Sequence, residues 1–181
     1  MSNWLNFIAS QLLWMAAVGG AARGLAWLGP LCLLLFAAVQ LLPRFRARGD
    51  VGLMLLALPV GLVVDTTMAA SGLLRYASPV PSAALAPVWI LSLWMGFALT
   101  FNHSMSGIMR RPLLAIAFGA LGGALSYWIA SRTWGAVQFT DYCAAVLVPL
   151  AALWGAAMGL LSYATLRLAR TPLPSSSGVP G

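Results

Sequence analysis

Residues 51–73 read Val51-Gly-Leu-Met-Leu-Leu-Ala-Leu-Pro59-Val-Gly61-Leu-Val-Val-Asp65-Thr-Thr-Met-Ala-Ala-Ser-Gly-Leu73. A hydrocarbon core about 30 Å thick is crossed by roughly 20 apolar residues of helix. This run is long enough, and its one ionisable residue is Asp65. Five further apolar runs complete a set of six, at 4–22, 26–42, 84–102, 113–130 and 142–166. The pattern predicts an all-α polytopic membrane helix bundle of about six transmembrane helices. The first two runs are joined by a tight Arg23-Gly24 link, so a re-entrant hairpin is the alternative reading there.

Composition agrees. Of 181 residues, 61% are hydrophobic and only 7% charged, with a mean hydropathy of +0.91. Soluble domains are about 25% charged, and their surfaces need polar cover that this chain lacks. The length suits one domain over residues 1–170. The Pro/Ser/Gly-rich segment 171–181 reads as a disordered cytoplasmic tail. Met1-Ser2-Asn3-Trp4 carries no basic residue, so the first run reads as a retained helix and not a cleaved signal.

A formal net charge of +7 invites a nucleic-acid reading. The ten basic residues are all arginine and flank the apolar runs, which argues instead for membrane topology. Arg44, Arg46, Arg48, Arg110, Arg111, Arg167 and Arg170 fall on one side of the six-span scheme. Arg23, Arg75 and Arg132 fall on the other. The positive-inside rule then predicts both termini in the cytoplasm. Arginine without lysine, beside abundant Ala, Gly and Leu, resembles the coding bias of a GC-rich bacterial genome. Trp4, Trp27, Tyr76, Trp89, Trp128 and Trp134 fall near the expected interfaces, where amphipathic rings prefer to sit.

Several stretches carry a resemblance. They are Gln11-Leu12-Leu13-Trp14, Trp27-Leu28-Gly29-Pro30-Leu31, Asp65-Thr66 with Gly72-Leu73-Leu74-Arg75-Tyr76, Leu85-Ala86-Pro87-Val88-Trp89-Ile90, and Gly122-Gly123 with Ser126-Tyr127. In order and spacing, from about Asn6 to about Phe139, they resemble the bacterial family catalogued as domain of unknown function 2878. The resemblance implies a bacterial inner-membrane protein and loosely associates it with membrane fatty-acid modification. It brings no catalytic residues.

An ionisable group inside a span costs about 2.5–3.5 kcal/mol on insertion scales, so Asp65 calls for an explanation. It lies roughly 21 Å from the cytoplasmic start of its helix at 1.5 Å per residue. Gly61, Asp65, Met68, Ala69 and Gly72 share a face of small residues that predicts close helix contact. Ser126 and Tyr127 of the fifth run lie at the same expected depth. One of them is expected to hydrogen-bond Asp65, with Arg75 or Arg132 as candidate counter-ion. The site is then a proton or cation site, a substrate-recognising group, or a structural pin. His103 lies about 20 Å away across the membrane, too far for a dyad with Asp65. With Asn102, Ser104, Asn6, Ser10 and Gln40 it forms a candidate cytoplasmic-side polar pocket, and Ser92 shares its helix face. Helix-end capping is the plainer reading.

One histidine and two separated cysteines, Cys32 and Cys143, supply no metal motif. The cysteines read as small hydrophobes, although a disulfide is conceivable. No cofactor is expected, because P-loop, dinucleotide and nucleophile-elbow patterns are missing. Pro59 and Pro149 interrupt the third and sixth runs, as binding helices in inverted-repeat transporters are interrupted. Gly155-x-x-x-Gly159 is a helix-packing signal.

Three functions remain. The leading one is a non-catalytic, accessory or lipid-handling protein of membrane-lipid modification. The others are a small proton-coupled or lipid transporter centred on Asp65, and an intramembrane lipid-modifying enzyme. Membrane lipids are the expected partners. A second copy or another membrane protein is a further candidate, and nucleic acid is not expected.

Overall fold

The computed structural model describes residues 1–170, so the expected tail at 171–181 lies outside the described residues. The chain forms α1 (Asn3–Ala21), α2 (Leu28–Gln40), α3 (Asp50–Ala70), strand β1 (Leu74–Tyr76), α4 (Val88–Ala98) and a short α5 (Ser106–Met109). There follow α6 (Pro112–Trp134), strand β2 (Val137–Phe139) and α7 (Cys143–Arg170). The six apolar runs therefore all become helix, and the bundle is all-α apart from one small hairpin.

Local chemistry explains the element ends. Ser2 caps α1 by accepting the Leu5 N–H. Pro112 opens α6 in the first turn, where a missing N–H costs little. Gly135 follows α6 in the left-handed region at φ 67°, the conformation glycine adopts most cheaply at a helix end. Helices α3 and α7 run unbroken through Pro59 and Pro149. Irregularity falls in α6 instead, which contains two π-helical turns at Gly119–Gly123 and Ala130–Trp134.

Four helices, α1, α3, α6 and α7, are long and apolar enough to cross a membrane. The expectation of full-length second and fourth spans needs correction in length. Helix α2 has 13 residues and α4 has 11, about 20 and 17 Å at 1.5 Å per residue. The fourth run gives up its first residues to a loop and its last to turns over residues 99–105. Those turns stay buried at Leu99 and Phe101.

Helix α4 is the hub. It packs against α1, α2 and α3, while α7 packs against α3 and α6. Glycines allow the closest approaches. A Cβ on Gly61 of α3 would lie 2.3 Å from the Trp94 ring of α4. Gly155 and Gly159 of α7 face Ile116 of α6. That glycine pair therefore serves packing within the chain. Antiparallel pairing of β1 with β2, Tyr76 opposite Val137, ties the end of α3 to the end of α6. Three-residue strands are too short to show in the hydropathy pattern. Both cysteines are free.

The arginine partition is real in space. Gly49, before α3, meets Leu168 near the end of α7. The Ser162 hydroxyl of α7 donates to the Met109 carbonyl beside Arg110. Arg44, Arg46, Arg48, Arg110, Arg111 and Arg167 thus belong to one end of the bundle. At the other, Gly19 near Arg23 meets Trp134 beside Arg132, and Arg75 lies in the hairpin.

Gly61→Ala is expected to destabilise the bundle by about 1–3 kcal/mol, because an overpacked Trp94 has no room to yield. Gly107→Ala, where a Cβ meets nothing within 4 Å, is the matched control. Thermal melts of the detergent-solubilised variants check the difference, and equal melting temperatures would refute it.

Candidate functional site

Asp65 lies in the last third of α3 and is fully buried. Its carboxylate accepts three hydrogen bonds. The Tyr76 hydroxyl donates to Oδ1 at 2.9 Å and the Trp94 indole N–H to Oδ2 at 2.7 Å. The Tyr127 hydroxyl also donates to Oδ1. The donors come from β1, α4 and α6, so one side chain of α3 gathers three other elements. Tyr127 thus reaches Asp65, as the shared depth suggested, and its neighbour Ser126 does not.

Among the described residues, no arginine pairs with Asp65. The β1 residues alternate buried, exposed, buried. A strand turns successive side chains to opposite faces, so Tyr76 points inward and Arg75 outward. Arg132 instead lies 3.8 Å from the Cys143 sulfur. The expected counter-ion is thus replaced by neutral donors. Burial, and then the Asp65 charge, hold the Tyr76 hydroxyl well above its ordinary pKa, so it remains a donor.

Beside this cluster lies a groove of about 320 Å³ between α1 and α4 on one side and α6 and α7 on the other. Helix α1 meets α6 chiefly at Ala130–Trp134, so below that point the two walls stand apart. Trp94 and Trp154 form the floor, stacked 4.2 Å apart at 22°. Trp14 and Phe97 line one wall, and Phe118 and Gly122 the other. Trp94 and Tyr127 belong to both places, separating Asp65 from the groove by one side chain's thickness. Both π turns of α6 contribute lining residues, among them Gly122 and Ala130.

A second polar cluster occupies the opposite end of α3. Asp50 opens that helix, about 22 Å from Asp65 along the axis at 1.5 Å per residue. Its buried carboxylate accepts the Ala47 N–H at 2.8 Å and the Asn102 amide at 2.9 Å, and lies 2.9 Å from His103 Nε2. The same His103 Nε2 also lies 2.9 Å from the Gln40 Nε2, which links the two halves of the cluster. Asn6 donates to Gln40 at 3.0 Å and to the Leu99 carbonyl at 3.1 Å, and accepts the Ser104 hydroxyl at 2.7 Å. Gln40 donates to the Phe45 carbonyl at 3.1 Å.

Asn6, Gln40, Asn102, His103 and Ser104 are therefore brought together. They form a closed network that braces the turns following α2 and α4, the plainer helix-end reading and not the candidate pocket. Asn6, Gln40 and Asp50 are fully buried. Ser10 and Ser92 stay out, each bonded to a carbonyl of its own helix. Sequence reasoning missed Asp50, which sits just ahead of an apolar run and looks like an exposed helix start. The Asp50–His103 pair has the geometry of an orienting acid and a base. The hydroxyl of the adjoining Ser104 is already committed to Asn6. Among the described residues, no three His, Cys, Asp or Glu side chains converge on a metal position.

A family model described as "Protein of unknown function (DUF2878)" matches residues 3–160. The chain belongs to that family, and the match extends well into α7. No curated protein and no solved structure matches the chain.

Asp65→Asn puts an amide N–H₂ where three donors converge, so at least one donor loses its acceptor. The expected loss is about 2–4 kcal/mol, against about 1–2 kcal/mol for Tyr127→Phe, which removes one bond only. Melting curves of the purified variants test that order. An unshifted Asp65→Asn would show that the three bonds do not hold the fold.

Proposed function

We propose that this chain is a multi-pass protein of the bacterial inner membrane that handles a lipid, holding its hydrocarbon chain in the groove between α1 and α6. Its simplest role is that of a non-catalytic accessory in membrane-lipid modification. One observation carries the reading. The groove is ligand-sized at about 320 Å³, is walled by aromatic rings, and is set among helices long enough to span a bilayer. Its walls stand apart toward the place where acyl chains would lie. A partner helix is about 10 Å across with its side chains, too wide for a space of this volume.

Six of the described arginines at one end favour a cytoplasmic position for both termini. In that orientation the Asp50–His103 network faces the cytoplasm, and the groove and Asp65 belong to the outer half. Lipids of that leaflet would enter tail first, toward Phe118 and Ser10.

The carrier and enzyme readings draw less support. Asp65 has both oxygens occupied and no exposed surface, so substrate contact would require breaking its bonds. A structural pin needs no such step.

Brominated phospholipids quench tryptophan on contact, and four of the eight tryptophans line the groove. In reconstituted vesicles the wild type is expected to show a quenching component that Gly122→Phe removes. A Cβ at Gly122 meets only the Phe118 ring, at 3.7 Å, so a larger side chain there fills free space. Identical quenching in both proteins, with the same lipid co-purified, would overturn the proposal.

A further inference from the structure

Polar side chains in the spans are, as a rule, bonded within the protein. The hydroxyls of Thr67, Ser92, Thr133, Ser162 and Thr165 each donate to a backbone carbonyl. Trp89 donates its indole N–H to the Ala77 carbonyl and Trp94 to Asp65. This is what a medium without water requires.

The groove breaks the rule four times. The Trp154 Nε1–H is buried and meets no acceptor at hydrogen-bonding geometry, although the Tyr127 hydroxyl lies close by. The Trp14 indole N–H, the Gln11 amide and the Ser126 hydroxyl also have no partner among the described residues. All four residues line the same cavity, from α1, α6 and α7. A pure hydrocarbon in the groove would leave every one of them unsatisfied, each at a desolvation cost.

The missing partners have a definite chemistry. An indole N–H only donates, so the two tryptophans call for an acceptor, and Trp14 has none within the protein. No Arg, Lys, His, Asp or Glu lines the cavity. Arg23, at the outer end of α1, donates to the Gly19 carbonyl at 2.8 Å and lies over the Trp134 ring. A phosphate or carboxylate would therefore enter without a counter-charge, and so would an amine.

We infer that the groove recognises an uncharged lipid bearing carbonyl oxygens, held by hydrogen bonds from Trp154, Trp14, Ser126 and Gln11. The shared chemistry is a neutral carbonyl acceptor on a hydrophobic tail. An ester lipid without a charged head and a membrane quinone both supply it. This inference rests on the lipid-handling reading above and specifies its ligand.

Four probes of matched chain length, titrated against the detergent-solubilised protein with tryptophan quenching as readout, test it. They are a brominated alkane, a brominated diacylglycerol, a brominated phosphatidylglycerol and an alkyl quinone. Either the diacylglycerol or the quinone is expected to bind at least about tenfold tighter than the alkane, the worth of one to two hydrogen bonds. Whichever binds tighter identifies the source. Ser126→Ala and Gln11→Leu, both at positions with free surface, should each weaken that probe about 3- to 10-fold and leave the alkane unchanged. Equal binding of alkane and carbonyl probes would overturn this inference alone, as would phosphatidylglycerol binding tighter than diacylglycerol. Binding of no probe, the alkane included, would remove the groove reading and this inference together.

Discussion

A carboxylate surrounded by hydrocarbon has no water to fall back on, and the architecture follows from how Asp65 is satisfied. Its two oxygens take hydrogens from a strand, from the hub helix and from the π-turned helix. Each donor fixes something larger than itself. Tyr76 draws the hairpin inward, and so joins the ends of α3 and α6. Trp94 lies flat in the hollow left by Gly61 and sets the spacing of α3 and α4. Tyr127 turns α6 so that Ser126, the residue before it, faces the groove. Neutral donors suit this position better than an arginine would, since a buried ion pair pays desolvation twice.

The same economy shapes the other end of α3. Asp50 and His103 lie where two short helices stop before a full membrane crossing. The chain fills the remaining depth with turns, whose backbone groups need partners that a helix would have supplied. Asn6, Gln40 and Asn102 provide them by bonding to the Leu99, Phe45 and Arg48 carbonyls. The polar network is thus the counterpart of the short helices.

Much of this was legible in the sequence. Run length gave every apolar helix, because hydrocarbon thickness sets a length that few soluble segments match. Depth counting along α3 and α6 put Tyr127 level with Asp65. Other features were hidden for physical reasons. Tyr76 looked like an interfacial aromatic because three residues cannot show a strand's alternation. Trp94 sat in a Leu-rich run where nothing marks a hydrogen-bond donor. Asp50 paired with His103 only because the 99–105 turns fold back onto the start of α3, and turns have no hydropathy signature. The groove depends on two helices failing to touch, and no single-residue pattern encodes that.

The arginines carry one more consequence. All ten basic residues are arginine, and six of the described ones stand at one end. A guanidinium keeps its charge at any pH a cell reaches, and lysine acetylation has no purchase on it. The electrical asymmetry of this bundle is therefore written once, at synthesis. Neither acidification nor acyl-transfer chemistry around the membrane can erase it. The difference in charge between the two ends is permanent, even though the interior is held by hydrogen bonds that a single proton could rearrange.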